Sequence, residues 1–298
     1  MADCGLPPQA KGEAMIGLLA HSEKPGAAAV VQAMTAELGR RGIPFLLERA
    51  TAPLAGKSSE LDERSLAAQC ELLVVMGGDG TILRVVHKLH DTLPPVFGIN
   101  IGSLGFLTCL GPGEIARAVE SIANKDYILS RRPLLEALLS TVTGEIRVFH
   151  GLNDTVISRG ERSELVKVRV RLGDVPLTEY NADGLVVATP TGSTAYSLSA
   201  GGPILMPDSG GFVVTPICPH VLTNRSVVVS DASEIHVEVA EPGHILFVTV
   251  DGQESCAMGT GDSLVIRKSS RELPLAMLPE RSFSEVLRQK LKWTGSNI

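Results

Sequence analysis

The chain has 298 residues, of which 44% are hydrophobic and 20% are charged, a balance that is ordinary for a globular protein and excludes wholesale disorder. The formal net charge is −6, and no run of Lys and Arg forms the basic patch of a nucleic-acid-binding protein, so we expect no nucleic-acid partner. No apolar run approaches the roughly 20 residues that cross a bilayer, and the first residues do not resemble a signal peptide, so we expect no membrane association.

The first part of the chain alternates short apolar strands with helices. Predicted strands cover 15–20, 44–47, 72–76 and 96–99, and predicted helices cover 25–41, 58–69, 81–89 and 114–123. The strand at 72–76 is nearly all apolar, as expected of a strand that is buried on both faces. This β-α-β-α order predicts a parallel sheet with helices on its faces, and we assign it to an α/β domain over residues 1–127.

The spacing of apolar residues changes after about residue 127. Residues 166–172 alternate Val or Leu with Lys or Arg, and residues 234–239 alternate Ile or Val with Glu or His. A period of two predicts antiparallel strands that are buried on one side, so we predict a β-rich domain over residues 128–280. One late helix is predicted to begin after an N-cap at Ser282 and to bury an apolar stripe that starts with Phe283.

The sequence Gly-Gly-Asp-Gly-Thr at residues 77–81, here called the glycine loop, lies between a predicted strand and a predicted helix. Ligands of α/β proteins bind at the carboxyl ends of strands, and glycines let the backbone approach a phosphate group closely. A carboxylate repels phosphate, so Asp79 is expected to face a metal ion or a hydroxyl group whose proton it takes. The alternative is that Asp79 only caps the following helix.

Two other nucleotide-binding motifs fit the sequence poorly. A dinucleotide fingerprint that starts at Gly78 and Gly80 would need glycine where Leu83 stands. A P-loop ending at 56–58 would have Thr51 in place of its first glycine, and Pro53 would remove a backbone N–H from the phosphate cradle. A hydride-transferring enzyme and a P-loop enzyme are therefore disfavoured.

Residues 183–202 read as a buried strand at 185–188, a turn at 189–192 and a helix capped by Ser193 or Thr194. We expect the hydroxyl groups of Thr191, Ser193, Thr194 and Tyr196 to converge on one spot that could hold an adenine edge or a sugar hydroxyl. The alternative is a plain strand–turn–helix connection.

Asn153 and Asp154 interrupt an apolar stretch. Buried polar groups need partners, so this pair is expected to bind sugar hydroxyls or else to mark a turn or β-bulge.

The spacing of cysteines and histidines disfavours a disulfide framework and a zinc site. The five cysteines are far apart and contain no Cys-x-x-Cys pair, which favours a reducing compartment over a disulfide framework. The histidines do not form the paired spacing of a zinc hydrolase.

Taken together, five segments resemble the NAD kinase family: 77–81, 153–154, 183–202, 215–220 and 251–253. The resemblance implies an N-terminal α/β domain, a C-terminal β-sandwich domain and a last helix, within 281–298, that returns to the first domain. It implies transfer of the terminal phosphoryl group of ATP, or of polyphosphate, to the 2′-hydroxyl of the adenosine ribose of NAD to make NADP. It also implies Mg²⁺ or another divalent metal, a homodimer or homotetramer, and a cytoplasmic location.

The resemblance also implies roles for individual residues. Asp79 would be the general base or orienting carboxylate, with Gly80 beside it. Arg84 would contact phosphate, and the alternative is a surface role. No dedicated metal site is implied, although Asp79 is a possible ligand. The residues implied to bind NAD are Asn153 and Asp154, Asp183 with Asn181 at the far ribose or amide end, Thr194, Ala195, Tyr196, Ser197, Leu198 and Ser199 at adenine and its ribose, and Gln253, which would close the pocket. Many family members have Glu where this chain has Asp154.

Two other functions remain open at the level of sequence. A kinase of another alcohol, such as a lipid or a sugar, would use the same glycine loop. A sensor that binds NAD without turnover would keep the NAD-binding residues.

Overall fold

A computed structural model describes residues 15–102, 105–160, 165–221 and 223–293 of the protein. No helix within these ranges is long and apolar enough to span a membrane.

The N-terminal part is an α/β unit built on a parallel sheet. Its strands pair in the order β2-β1-β3-β4 and are all parallel, which confirms the predicted α/β architecture. The bounds are β1 Ile16–Ala20, α1 Ala27–Arg40, β2 Phe45–Leu47, α2 Glu63–Ala67, β3 Leu72–Gly77, α3 Asp79–Leu89, β4 Val96–Asn100 and α4 Ile115–Asn124. Every residue of β3 is buried, as its apolar sequence predicts.

All four predicted helices differ from the observed ones by at least one residue, and two of the differences are described here. The helix predicted over 58–69 is limited to α2, because the carboxylate of Asp62 accepts the N–H of Ser65 at 2.7 Å and so fixes the helix start. The helix predicted to start at Thr81 starts at Asp79, with Gly78 as its N-cap residue. Asp79 is therefore inside the first turn of α3.

The C-terminal part consists almost entirely of antiparallel strands. They are β5 Ile128–Ser140, β6 Ile146–Gly151, β7 Asp154–Ser158, β8 Val166–Leu172, β9 Val175–Ala182, β10 Gly184–Ala188, β11 Gly211–Ile217, β12 Val227–Ser230, β13 Ile235–Val239, β14 Leu246–Val250, β15 Glu254–Met258 and β16 Ser263–Met277, with the short helix α5 Tyr196–Ser199 after β10. One sheet has the order β12-β11-β10-β7-β14-β15. Side chains from this sheet and from β8, β13 and β16 share one buried core, so the two sheets form a sandwich.

The long strands β5 and β16 each contribute side chains to both cores. β16 pairs antiparallel with β13 and β5, and its last residues pair parallel with β4, so that a single sheet continues from the sandwich into the α/β unit. Leu273 and Leu275 of β16 belong to the α/β core, whereas Leu264 and Ile266 belong to the sandwich core. The domain limits of 1–127 and 128–280 stay a prediction.

The last helix, α6 Phe283–Leu291, packs on the α/β unit. Ser282 caps it by accepting the N–H of Glu285, as predicted. The ring of Phe283 lies 6.1 Å from the ring of Phe106, centre to centre, and Arg281 pairs with Glu114 at 3.0 Å. The helix thus contacts the loop that follows β4.

Candidate active site

The loops that follow β1, β3 and β4 meet at the carboxyl edge of the parallel sheet. The carbonyl oxygen of Gly77 accepts a hydrogen bond from the N–H of Ile101 at 2.9 Å and another from Nζ of Lys24 at 3.2 Å. Because parallel strands end at the same edge, two segments far apart in sequence, after β1 and after β4, adjoin the glycine loop.

Glycine is needed at one position of this loop and leaves open space at another. A Cβ atom on Gly77 would lie 2.2 Å from Oγ1 of Thr81, so no side chain fits there. Gly80 is exposed, and a Cβ atom on it would meet no atom within 4 Å. The loop is therefore closely packed at Gly77 and has open space beside Gly80.

The carboxylate of Asp79 is held by the loop after β4. Its two oxygens accept the N–H of Phe106 at 2.8 Å and the N–H of Leu107 at 3.0 Å. A Cβ atom on Gly105 would lie only 1.9 Å from a carboxylate oxygen, so this approach requires glycine. Asp79 does not cap α3, which excludes the role of a simple helix cap. Sequence reasoning missed the contribution of residues 105–107, although the spacing of Gly102 and Gly105 after a strand was a usable signal.

A second group of residues is organised by Asp251. Its buried carboxylate accepts the N–H groups of Leu152, Asn153 and Asp154 at 2.6, 2.8 and 3.0 Å. The backbone of Asp251 has φ +49°, and its own N–H donates to the carbonyl of Asp154 at 3.0 Å. Asn153 lies in a bend and Asp154 begins β7, so Asp251 fixes the turn that presents both.

Thr189 joins the turn at 152–154 to the segment after β10. Its N–H donates to the carbonyl of Asn153 at 2.8 Å, and its hydroxyl donates to the carbonyl of Leu152 at 2.5 Å. A Cβ atom on Gly192 would lie 2.0 Å from the carbonyl oxygen of Asn153, so the two segments touch backbone to backbone. The second and third sequence motifs are thus one packed unit.

Two of the four hydroxyl groups that we expected to converge on a ligand bond to nearby carbonyl groups instead. Ser193 donates to the carbonyl of Pro190 at 2.6 Å, and Thr194 donates to the carbonyl of Thr191 at 3.1 Å. Neither caps α5 or the short 3₁₀ helix Gly192–Thr194 that precedes it. Small hydroxyl side chains satisfy nearby backbone groups first, and here these bonds hold the turn itself.

The remaining predicted NAD-binding residues differ in accessibility. Ser197 is buried and its hydroxyl bonds that of Thr215 at 3.0 Å, whereas the side chain of Tyr196 is 46% exposed. Those that are half-buried or exposed are Thr194, Ala195, Leu198, Ser199, Asn181, Asp183 and Gln253. Most of the predicted NAD-binding side chains are thus at least partly accessible to solvent.

Asp183 and Arg84 both interact with charged residues that the sequence did not indicate. The carboxylate of Asp183 pairs with the guanidinium of Arg159 at 2.8 Å. Burial has the largest effect on Glu63 and favours its neutral form, but Lys88 and, more weakly, Arg84 lower the pKa of its carboxyl. The phosphate contact of Arg84 stays a prediction.

Helix α3 connects the two groups of residues. Asp79 lies at its start, and two turns later Nε2 of His87 lies 3.3 Å from a carboxylate oxygen of Glu254. Glu254 follows Gln253 and lies three residues after Asp251. One helix therefore has the glycine loop at one end and the Asp251 turn near the other.

The decisive comparison is with models of protein families. The ATP-NAD kinase N-terminal domain model matches residues 16–127, and the ATP-NAD kinase C-terminal domain model matches residues 152–278. The chain belongs to the ATP-NAD kinase family.

Individual members of this family agree with that assignment. The NAD kinase of Syntrophotalea carbinolica is 39% identical over 279 residues, which cover 93% of this chain and 98% of the relative. The NAD kinase of Carboxydothermus hydrogenoformans is 42% identical over 234 residues, covering 78% of this chain and 83% of the relative. The similarity therefore extends over both parts of the molecule.

Solved structures confirm the fold of this ATP-NAD kinase family member. The crystal structure of yeast NADH kinase complexed with NADH superimposes with a TM-score of 0.85 at 24% identity, covering 96% of this chain and 89% of the other. An NAD kinase from Archaeoglobus fulgidus in complex with ATP gives a TM-score of 0.73 at 26% identity, covering 94% and 100%.

Two buried acidic residues of this ATP-NAD kinase family member, Asp154 and Asp251, lie close to each other, because the Asp251 carboxylate accepts the backbone N–H of Asp154. Burial, and next the charge of Asp251, raises the pKa of Asp154 to about 7. Burial also raises the pKa of Asp251, but the three N–H groups that it accepts favour its charged form. We infer that Asp251 carries the negative charge and that Asp154 holds a proton until neutral pH.

This pair predicts a pH dependence of stability. A carboxyl whose pKa is higher in the folded state than in the unfolded state contributes stability below its ordinary pKa of 3.8, and this contribution is lost as pH rises to about 7. The variant Asp154→Asn cannot ionise, so its free energy of unfolding, relative to the parent protein, should rise between pH 5 and pH 8.

Urea unfolding of both proteins at several pH values measures the difference. The exposed Asp174 provides the control Asp174→Asn, which should follow the parent at every pH. Parallel stability curves for Asp154→Asn and the parent would show that Asp154 has an ordinary pKa.

Proposed function

We propose that this ATP-NAD kinase family member transfers the terminal phosphoryl group of ATP to the 2′-hydroxyl of the adenosine ribose of NAD, with Asp79 as the general base or orienting carboxylate. The observation that carries the proposal is the position of Asp79 in the glycine loop, where two backbone N–H groups fix its carboxylate. Aligned reactants and fixed charges supply most of the catalysis in phosphoryl transfer.

Asp79 keeps the capacity to accept a substrate proton. An ionised carboxylate has about four acceptor positions, and the N–H groups of Phe106 and Leu107 use two of them. A hydroxyl group placed against the remaining positions can donate to Asp79 while its oxygen faces the phosphoryl group. Gly80 leaves open space beside that position.

The Asp251 turn and the segment after β10 form the proposed NAD site. Asn153 and Asp154 supply an amide and a carboxyl on a turn with a fixed backbone. A carboxyl that keeps its proton up to about pH 7 can donate to a ribose oxygen as well as accept from a hydroxyl. The exposed ring of Tyr196 offers a surface against which adenine can stack.

A divalent metal ion would bind at this site through the nucleotide phosphates and Asp79. In the described ranges, no cluster of three or more His, Cys, Asp and Glu side chains could hold a metal ion. Mg²⁺ is usually bound through one or two carboxylates plus substrate phosphates, and Asp79 is the candidate carboxylate. The metal would offset the phosphate charge.

We also propose a cytoplasmic location and a homodimer or homotetramer. Cys70, Cys109, Cys218 and Cys256 are free thiols, which suits a reducing compartment. Ile245 and Phe247 are apolar and 48% and 40% exposed, and such side chains suit a contact between copies.

A coupled assay for NADP formation from NAD, ATP and Mg²⁺ tests the proposed reaction. The protein should form NADP only when ATP or another phosphoryl donor is present, and parallel reactions with NADH and polyphosphate define the substrate range. A panel of lipid and sugar alcohols tests the other kinases that share a glycine loop. Turnover of one of those alcohols without NADP formation would refute the proposal, and NAD binding without any turnover would identify a sensor.

A further inference from the structure

Lys24 lies in the loop after β1, outside the five motifs, and so far has been described only as a donor to the glycine loop. Its own backbone is fixed, because its N–H donates to the carbonyl of His21 at 3.1 Å and its carbonyl accepts the N–H of Ala27 at 3.0 Å. Its side chain is half-buried and crosses to the glycine loop, where Nζ donates to the carbonyl of Gly77 at 3.2 Å.

The ammonium group of Lys24 lies beside two glycines. Nζ would be 3.4 Å from a Cβ atom on Gly78 and 3.6 Å from a Cβ atom on Gly102. These glycines belong to the loops after β3 and β4. The ammonium is therefore at the meeting point of all three loops. It lies beside Gly78, the residue that precedes α3.

The charge of Lys24 is not neutralised by a neighbouring carboxylate. Lys88, Lys167 and Lys268 each pair with a carboxylate, whereas no such ion pair within 4.0 Å involves Lys24 among the described residues. An ammonium has three N–H donors, and the carbonyl of Gly77 takes one. Two donors and a full positive charge thus remain for an anion beside the glycine loop.

We propose that Lys24 is a catalytic residue that binds the terminal phosphoryl group of ATP during its transfer, an inference that rests on the proposed function. In that step the hydroxyl oxygen of NAD bonds to phosphorus, the bond from phosphorus to the bridging oxygen of ADP breaks, and the hydroxyl proton moves to Asp79. Lys24 keeps its proton and stabilises the negative charge on the phosphoryl oxygens. The contact of Lys24 with Gly77, two residues before Asp79, places the ammonium beside the phosphoryl group that is transferred.

The other explanation of the contact is structural. The bond from Lys24 to Gly77 would then only hold the loop after β1 against the loop after β3. A structural role predicts a loss of stability and equal weakening of all nucleotides, whereas a phosphoryl contact predicts a selective effect on the terminal phosphate.

The test compares Lys24→Met and Lys24→Arg with the control Lys57→Met. Lys57 lies over the ring of Phe45, away from the glycine loop, so its loss should leave turnover unchanged. Removing one donor to a developing negative charge should lower the kcat of Lys24→Met by about 10²–10³-fold, and Lys24→Arg, which keeps the charge, should recover part of it. Binding of a non-hydrolysable ATP analogue should weaken in Lys24→Met, while binding of ADP, which lacks the terminal phosphate, should change much less.

Three results would overturn the assignment: normal kcat in Lys24→Met, equal weakening of ADP and the ATP analogue, or a large fall in Tm without recovery by arginine. The binding measurements need no turnover, so they decide the role of Lys24 even if the parent protein makes no NADP. Absence of NADP formation by the parent protein would instead refute the proposed function.

Discussion

Replacing Asp79 with Asn is expected to lower the turnover of NADP formation by about 10²–10⁴-fold, which is the usual contribution of a general base. Asparagine keeps the size of the side chain and one of its two acceptor oxygens, so only one of the N–H groups of Phe106 and Leu107 loses its partner. The fold should stay intact. Initial rates with saturating NAD and ATP, together with Tm, measure both effects.

A second variant tests whether the placement of this carboxylate matters as much as its charge. Gly105→Ala keeps Asp79 but puts a Cβ atom where a carboxylate oxygen lies, and so should displace the side chain and lower turnover. Gly113→Ala is the matched control, because a Cβ atom there meets nothing within 4 Å. Near-normal NADP formation by Asp79→Asn would refute the catalytic role of Asp79.

Replacing Asp251 with Ala is expected to have the largest effect on stability. The change leaves the N–H groups of Leu152, Asn153 and Asp154 without an acceptor, and each buried donor without a partner costs about 1–3 kcal/mol. The loss is partly offset, because Asp154 no longer faces a buried charge. Because the turn also presents Asn153 and Asp154, the KM for NAD should rise much more than the KM for ATP.

Asp251→Asn separates the causes of this effect. Asparagine tolerates the positive φ of this position better than alanine does, and one of its atoms can still accept the N–H groups of Asn153 and Asp154. It should therefore lose less stability than Asp251→Ala in urea unfolding. The exposed Asp174→Ala serves as the control. Equal KM values for NAD in Asp251→Ala and the parent would contradict the positioning role.

Much of the fold was predictable because its signals are local. The apolar run of β3, the alternation in β8 and β13, and the serine cap of α6 each depend on neighbouring residues. The start of α3 was placed two residues late, because a glycine N-cap has no side-chain signal. The length of α2 was overestimated because the capping bond of Asp62 outweighs the preceding residues.

The site was predictable as a set of residues but not as a set of contacts. Asp79 and its partner Leu107 are 28 positions apart, and Asp251 and Leu152 are 99 positions apart. Such side chain–backbone bonds leave no periodic pattern, because a backbone N–H belongs to every residue except proline. The hydroxyls of Ser193 and Thr194 suggested a ligand, although they bond local carbonyls, because the sequence does not show which backbone group a hydroxyl meets.

The pairing of β5 with β16 limits how the enzyme can move. Both strands take part in the two cores, and their hydrogen-bonded register is broken only between Lys268 and Glu272 within the pairs described. A hinge closing the sandwich on the α/β unit would have to rupture this ladder or bend at that interruption. We therefore expect substrates to be enclosed by side chains and surface loops, on a frame whose halves keep a constant mutual orientation.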